Sequence, residues 1–249
     1  MLIISLRQRY PSQSTFTISW PFGQVGGSPL KDDTVRQIAK DYYIGARNAS
    51  LGSRGFVPYD DYLNPFYKSF YYQIGAYLVQ SNTTAQTIAN IADSAIAYYD
   101  WLTLLYHGIE NTGSFLVSAA NFKSQLDSLK SRQNSVLFAT FADALKYHKQ
   151  RRANVSLTST DLTGNFLYAY YDLTISDTLN NAIFDQFLTF RVPMPYYIIS
   201  VDSVKQAGQH VRFIFTGDSI DFDALPDGGV VSVYVTYNIN NLNKPFSNS

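Results

Sequence analysis

The chain has 249 residues with nineteen basic and nineteen acidic side chains, 46% apolar residues, 16% aromatic residues and no cysteine. A length and apolar content of this order bury a core, which excludes global disorder, while the missing thiols exclude disulfide scaffolds, Cys-ligated metal clusters and thiol catalysis. The zero net charge removes the overall basic signature of most nucleic-acid binders.

Residues 1 to about 30 read as extended. Met1–Leu6 and Ser14–Trp20 are β-prone runs, separated by Pro11 and closed by Pro21 and Gly26-Gly27. From Asp32 to about Lys149 the apolar period becomes 3.6. Asp32 or Asp33 is placed to cap a helix bearing Val35, Ile38, Ala39 and Tyr42, and Asn64-Pro65 opens a second whose apolar positions run to Ile74 and Leu78. The strongest helical pattern covers Thr83 to Tyr106, with Ala85, Ile88, Ala92 and Ile96 on one stripe. Ser114 is expected to cap a helix carrying Phe115, Phe122 and Leu129, and Asn134 or Ser135 one carrying Leu137, Phe141 and Leu145.

After Arg152 the period returns to two. Asn165–Ile175, Tyr196–Asp202, Gln209–Thr216 and Val230–Asn238 read as strands, with Val231, Val233, Val235 and Tyr237 on one face. Leu179–Phe190 reads as one further helix, stopped by Pro193 and Pro195. The fold class is α+β: a central block of four to five helices over about 32–150, an N-terminal β segment and a C-terminal antiparallel β region. The simplest organisation is one domain, 1–249, in which the terminal strands pair and the helices form an insertion. A division into a mainly helical 1–152 and a mainly β 153–249 fits the same pattern.

No phosphate-binding or nucleophile motif is present. The glycine cluster Gly23–Gly27 lacks a P-loop lysine, Asn48–Gly52 half matches a serine elbow, and His107, His148 and His210 are not at ligand spacing. His107 is expected at a helix end, and His148 among cations that lower its basicity. Asp60 and Asp61 among the aromatics of 59–72 are the best candidates for sugar binding or glycoside chemistry, because rings stack on sugars and paired carboxylates act at glycosidic bonds. Asp218, Asp221 and Asp223, in the most acidic segment, are weak candidates for a calcium site. No catalytic residue and no cofactor is assigned.

Charge patterning is more informative. Residues 121–152 carry seven basic against two acidic side chains, a net of +5, and residues 153–249 carry four against nine, a net of −5. Lys146, Lys149, Arg151 and Arg152 form a basic knot at a helix C-terminus, suited to a phosphate backbone or to the acidic region of another copy. Glu110 is the only glutamate, so the usual Glu/Lys helix surface is missing. Tyr, Phe, Asn, Ser and Thr take its place, and Tyr and Phe are favoured at interface cores, where Lys and Glu are disfavoured. The expectation is a non-enzymatic, self-assembling structural protein, a viral coat or phage-particle component whose partners are copies of itself. A sugar-binding protein and a nonspecific nucleic-acid packaging or tail-junction protein are the alternatives. Met1–Leu6 is too short and wrongly flanked for a signal peptide and no stretch is long and apolar enough to span a membrane, so the virion or the host cytoplasm is the expected location.

Overall fold

A computed structural model describes residues 17–20, 29–48, 56–57, 71–109, 115–153, 155–160, 163–164 and 168–237. The chain forms two compact units, 1–145 and 146–249. Helices and antiparallel sheets are both present, which makes the fold α+β.

In the first unit, β1 (Thr17–Ser19) pairs in parallel with β2 (Gly45–Arg47), and α1 (Pro29–Lys40) lies between them in sequence. The N-terminal strand therefore finds its partner within its own unit, not among the C-terminal strands. Met1–Leu6 lies outside the described residues. Helix α1 starts at Pro29, whose fixed φ suits a first helical position, so Asp32 and Asp33 fall inside the helix. Trp20 is buried and its indole donates to the Tyr72 carbonyl at 2.8 Å, while the Tyr72 hydroxyl donates to the Tyr43 carbonyl at 2.5 Å.

The expected helix over 64–78 is not formed in its described part. A single tight turn at Tyr71–Tyr72 leads past Gly75 into β4 (Tyr77–Val79), and Ile74 bridges Arg47. Helix α2 (Ala85–Tyr98) is shorter than expected: Thr84 caps its start, accepting from the Thr87 amide, and Tyr99 ends it in the left-handed conformation at φ 55°. The apolar run beyond it forms β5 (Trp101–Leu102) and β6 (Leu104–Tyr106); the latter lies parallel to β4, so β4, α2 and β6 make one β-α-β crossover. An unbroken apolar run has no period to separate helix from strand, and the αL residue decides it.

β3 (Phe56–Val57) pairs with β5, and β7 (Gly108–Ile109) with β8 (Leu116–Val117). Helix α3 (Ala119–Lys130) is capped by Ser118, not Ser114. Its Leu129 joins Val79, Ile88, Ala92 and Val117 in the core, where the alanines of α2 leave room for it. Helix α4 (Phe141–Arg152) follows Thr140, whose hydroxyl accepts the Asp143 amide; Asn134, Ser135 and Leu137 precede it, and Leu137 is 74% exposed. The boundary between the units falls inside this helix.

The second unit contains two sheets packed face to face. β9 (Ser156–Ser159) and β10 (Thr163–Gly164) share one edge of β11 (Tyr168–Ser176), whose other edge meets β17 (Val231–Tyr237), followed by β13 (Ile198–Gln206) and β14 (Gln209–His210). β12 (Leu188–Pro193), β16 (Ser219–Ala224) and β15 (Phe213–Phe215) form the second sheet. Strict alternation sends Ala169, Leu173 and Ile175, with Val231, Val233 and Val235, inward against Ile220, Phe222 and Ala224.

The expected helix over 179–190 is a turn and then a strand. Asp177 accepts the Leu179 amide and Asn180 the Ala182 amide, local bonds that compete with helical ones, and Leu188, Phe190 and Val192 then pair with Ala224, Phe222 and Ile220.

Candidate assembly surface

The period of two that fills the sandwich also dictates what it shows to solvent. On the outer face of the six-stranded sheet stand Tyr170, Asp172 and Thr174 of β11, Ser232, Tyr234 and Thr236 of β17, and Ser203 and Lys205 of β13. Register places Tyr170 opposite Tyr234, with ring centroids 5.7 Å apart, and the Lys205 ammonium lies 5.2 Å from the Tyr234 ring. Around this ladder hydroxyls occupy the carboxylates: Ser232 donates to Asp172 at 2.6 Å, and Thr236 and Ser200 donate to Asp202 at 3.0 and 3.1 Å. Such bonds orient a carboxylate and leave its charge uncancelled.

The three proposed metal-binding aspartates lie on or next to β16. Arg191 forks onto both oxygens of Asp221 at 2.7 and 2.6 Å, its cross-strand partner, and holds that carboxyl below the usual range. Asp223 accepts from Thr189 at 2.6 Å. Asp218 accepts from Thr216 and Ser219, bonds that also lower its titration. Strand geometry thus gives each carboxylate its own partner, and among the described residues no three metal-ligating side chains converge.

The basic knot occupies the end of α4. Lys146 is buried and donates to Asp185 at 3.0 Å, which draws the Asp185 carboxyl below its ordinary range. One turn on, the Gln150 side-chain oxygen Oε1 accepts the Gln186 backbone amide at 3.0 Å. This i,i+4 face is thereby committed to the 185–186 segment. Lys149, Arg151 and Arg152 follow in the last helical turn, with Arg151 exposed. Just before them His148 is driven down from 6.5 to about 4, by burial first and then by Arg152 and Arg151. Its lowered basicity agrees with the sequence reading, although burial outweighs the neighbouring cations.

His107 is not at a helix end; it separates β6 from β7 and lies 5.4 Å from the Phe115 ring. His210 sits on the exposed strand β14 opposite Lys205. Asp60, Asp61, Gly23–Gly27 and residues 49–52 lie outside the described residues, and Tyr72, the last aromatic of the 59–72 group, is a core residue. Large apolar side chains are prominent outside the core: Tyr99 is 82% exposed, and Tyr98, Leu137, Phe138, Phe187, Tyr196, Ile199 and Ile214 are exposed with it. The sequence reading did not single out Tyr170, Tyr234 or Lys205. The signal was there, because the inward alternation Val231, Val233, Val235 fixes the outward set Ser232, Tyr234, Thr236.

No protein-family model, no curated protein and no solved structure matches the chain.

Proposed function

We propose that the chain is a non-enzymatic structural subunit that assembles with copies of itself, as a coat or other component of a viral or phage particle. The observation that carries the reading is the outer surface of the sandwich. Its central strands present an aromatic pair, Tyr170 and Tyr234, set among Ser, Thr and Asp side chains. Aromatic rings bury large area at small cost in side-chain entropy and are favoured at interface centres, where Lys and Glu are disfavoured, while hydroxyls around them can adapt their hydrogen bonds to a partner. Exposed Tyr98, Tyr99, Leu137 and Phe138 in the first unit extend the same character.

The basic end of α4 has a role in this reading as a contact for polyanions. Lys149, Arg151 and Arg152 supply a compact positive charge suited to a phosphate backbone without base readout, as genome packing requires. Location in the virion or in the host cytoplasm before assembly belongs to the same proposal. Size-exclusion chromatography with light scattering tests it directly: the expected mass is a multiple of 28.1 kDa that grows with concentration, with closed particles in electron micrographs. A single monomeric species at high concentration overturns it.

A further inference from the structure

Self-assembly requires a surface that accepts another copy, and the sheet edges differ sharply in how well they resist one. A strand at an edge offers unpaired N–H and C=O groups, and proteins usually blunt it with charge, proline or a bulge. In the three-stranded sheet, β12 carries Arg191 and Pro193, and β15 follows Arg212 directly. At one end of the six-stranded sheet, β14 carries His210 beside Lys205. The other edge of the six-stranded sheet is shared by β9 and β10, and its β9 part reads Ser-Leu-Thr-Ser: it has no charge, no proline and no register break against β11, and all four residues are exposed. Leu157 on it is 40% exposed, although its cross-strand partner Ile175 is 1% exposed.

Backbone direction along β9 is fixed by its inner neighbour. The Thr160 amide donates to the Asp172 carbonyl at 3.0 Å, so Thr158 and Ser156, at the same parity, also turn their backbone groups toward β11. Leu157 and Ser159 therefore turn theirs outward, to the open side. The faces are equally fixed: Leu157 and Ser159 lie opposite Ile175 and Leu173 on the core side, while Ser156 and Thr158 lie opposite Ser176 and Thr174 on the outer side.

We infer that β9 pairs antiparallel with β9 of a second copy across a two-fold axis at Leu157, joining two six-stranded sheets into one; the inference rests on the self-assembly reading above and names its contact. Only registers that keep core-side residues opposite core-side residues preserve both cores, and these place the axis through a residue, not between two. With the axis at Leu157, that side chain meets its twin and loses its exposure, Ser156 faces Thr158 of the second copy, and the outward groups of Leu157 close a pair of hydrogen bonds. Nothing in the apposed strands repels, because neither carries a charge. An uncharged, self-complementary strand selects its own copy over a partner bearing a charged edge.

Three variants test the pairing. Leu157→Lys brings two like charges together at the axis, and Ser159→Pro removes an amide that the chain itself does not use. Each is expected to keep the wild-type unfolding temperature to within a few degrees and to weaken association by at least about tenfold, the scale of a like-charge contact. In a chain without cysteine, Leu157→Cys supplies the only thiol, and mild oxidation is expected to give a disulfide-linked dimer. If the wild type assembles, while Leu157→Lys assembles equally well and Leu157→Cys stays uncrosslinked, the edge pairing is wrong and the assembly reading stands. If the wild type is monomeric at every concentration, both fall. Should Ser159→Pro fail to fold, the lysine and cysteine variants decide.

Discussion

His148 stands in the last turns of α4 with two arginines following it, and its imidazole is held neutral down to about pH 4. The unfolded chain binds a proton there near the ordinary 6.5, so between those values the unfolded state holds more protons than the folded one. Stability associated with this group is complete above about pH 6.5 and is lost as the pH falls through about 4, by an amount on the order of 3 kcal/mol. Denaturant unfolding from pH 7.5 to 4 is expected to show this decline, and His148→Phe, which cannot protonate, is expected to flatten it. An unchanged slope in the variant would assign the acid loss to other groups. Lys146 and Asp185 work in the opposite sense of burial: there a charge is kept because a partner is supplied at 3.0 Å.

At the scale of elements, packing is tight in the first unit where β2 meets α4. A Cβ on Gly45 would lie 2.6 Å from both Leu145 Cδ2 and the Tyr71 carbonyl oxygen. The leucine end can swing away, but the carbonyl belongs to backbone and cannot move without disturbing the Tyr71–Tyr72 turn. Gly45→Ala is expected to cost about 1–3 kcal/mol by overpacking, read from the midpoint of a urea titration, whereas Gly217→Ala meets no atom and pays only for its positive φ. No sequence pattern flagged Gly45, because the atoms that crowd it come from positions 71 and 145. The same limit explains which elements were legible. Alternation within 230–238 and the β-prone composition of 165–175 marked two strands, found at Val231–Tyr237 and Tyr168–Ser176, since burial on one face writes a period of two into the chain. The end of α2 was not legible, because Leu102 and Leu105 continue its apolar stripes and only the αL turn at Tyr99 separates them. The 179–190 segment misled in another way: its spacing is helical, and Asp177 and Asn180 divert the backbone into turns. Of the candidate site, the charges of α4 were visible in the sequence. That Lys146 is already matched by Asp185, thirty-nine residues away, was not.

Over the whole molecule, the positive and negative blocks that cancel in the net charge do not divide between the two units. Residues 146–249 contain eight basic and nine acidic side chains, so the basic knot and the acidic strands belong to one nearly neutral unit. Asp172, Asp202 and Asp223 are bonded to hydroxyls, which leaves their charge available to a cation from elsewhere. If Lys149, Arg151 and Arg152 of one copy meet such carboxylates on another, that contact is electrostatic and exposed, and it must weaken as the screening length shortens from above 10 Å to a few ångströms. The β9 edge carries no charge and has no such dependence. Raising NaCl from about 0.05 M to about 1 M is therefore expected to break large assemblies down to a salt-resistant dimer, not to monomers. Arg151→Ala with Arg152→Ala should reproduce the high-salt species at low salt, while Leu157→Lys should remove the dimer at either ionic strength. Assemblies whose mass is indifferent to both salt and the arginine substitutions would leave the charge pattern without a part in assembly, and would shift the whole contact to the uncharged and aromatic surfaces.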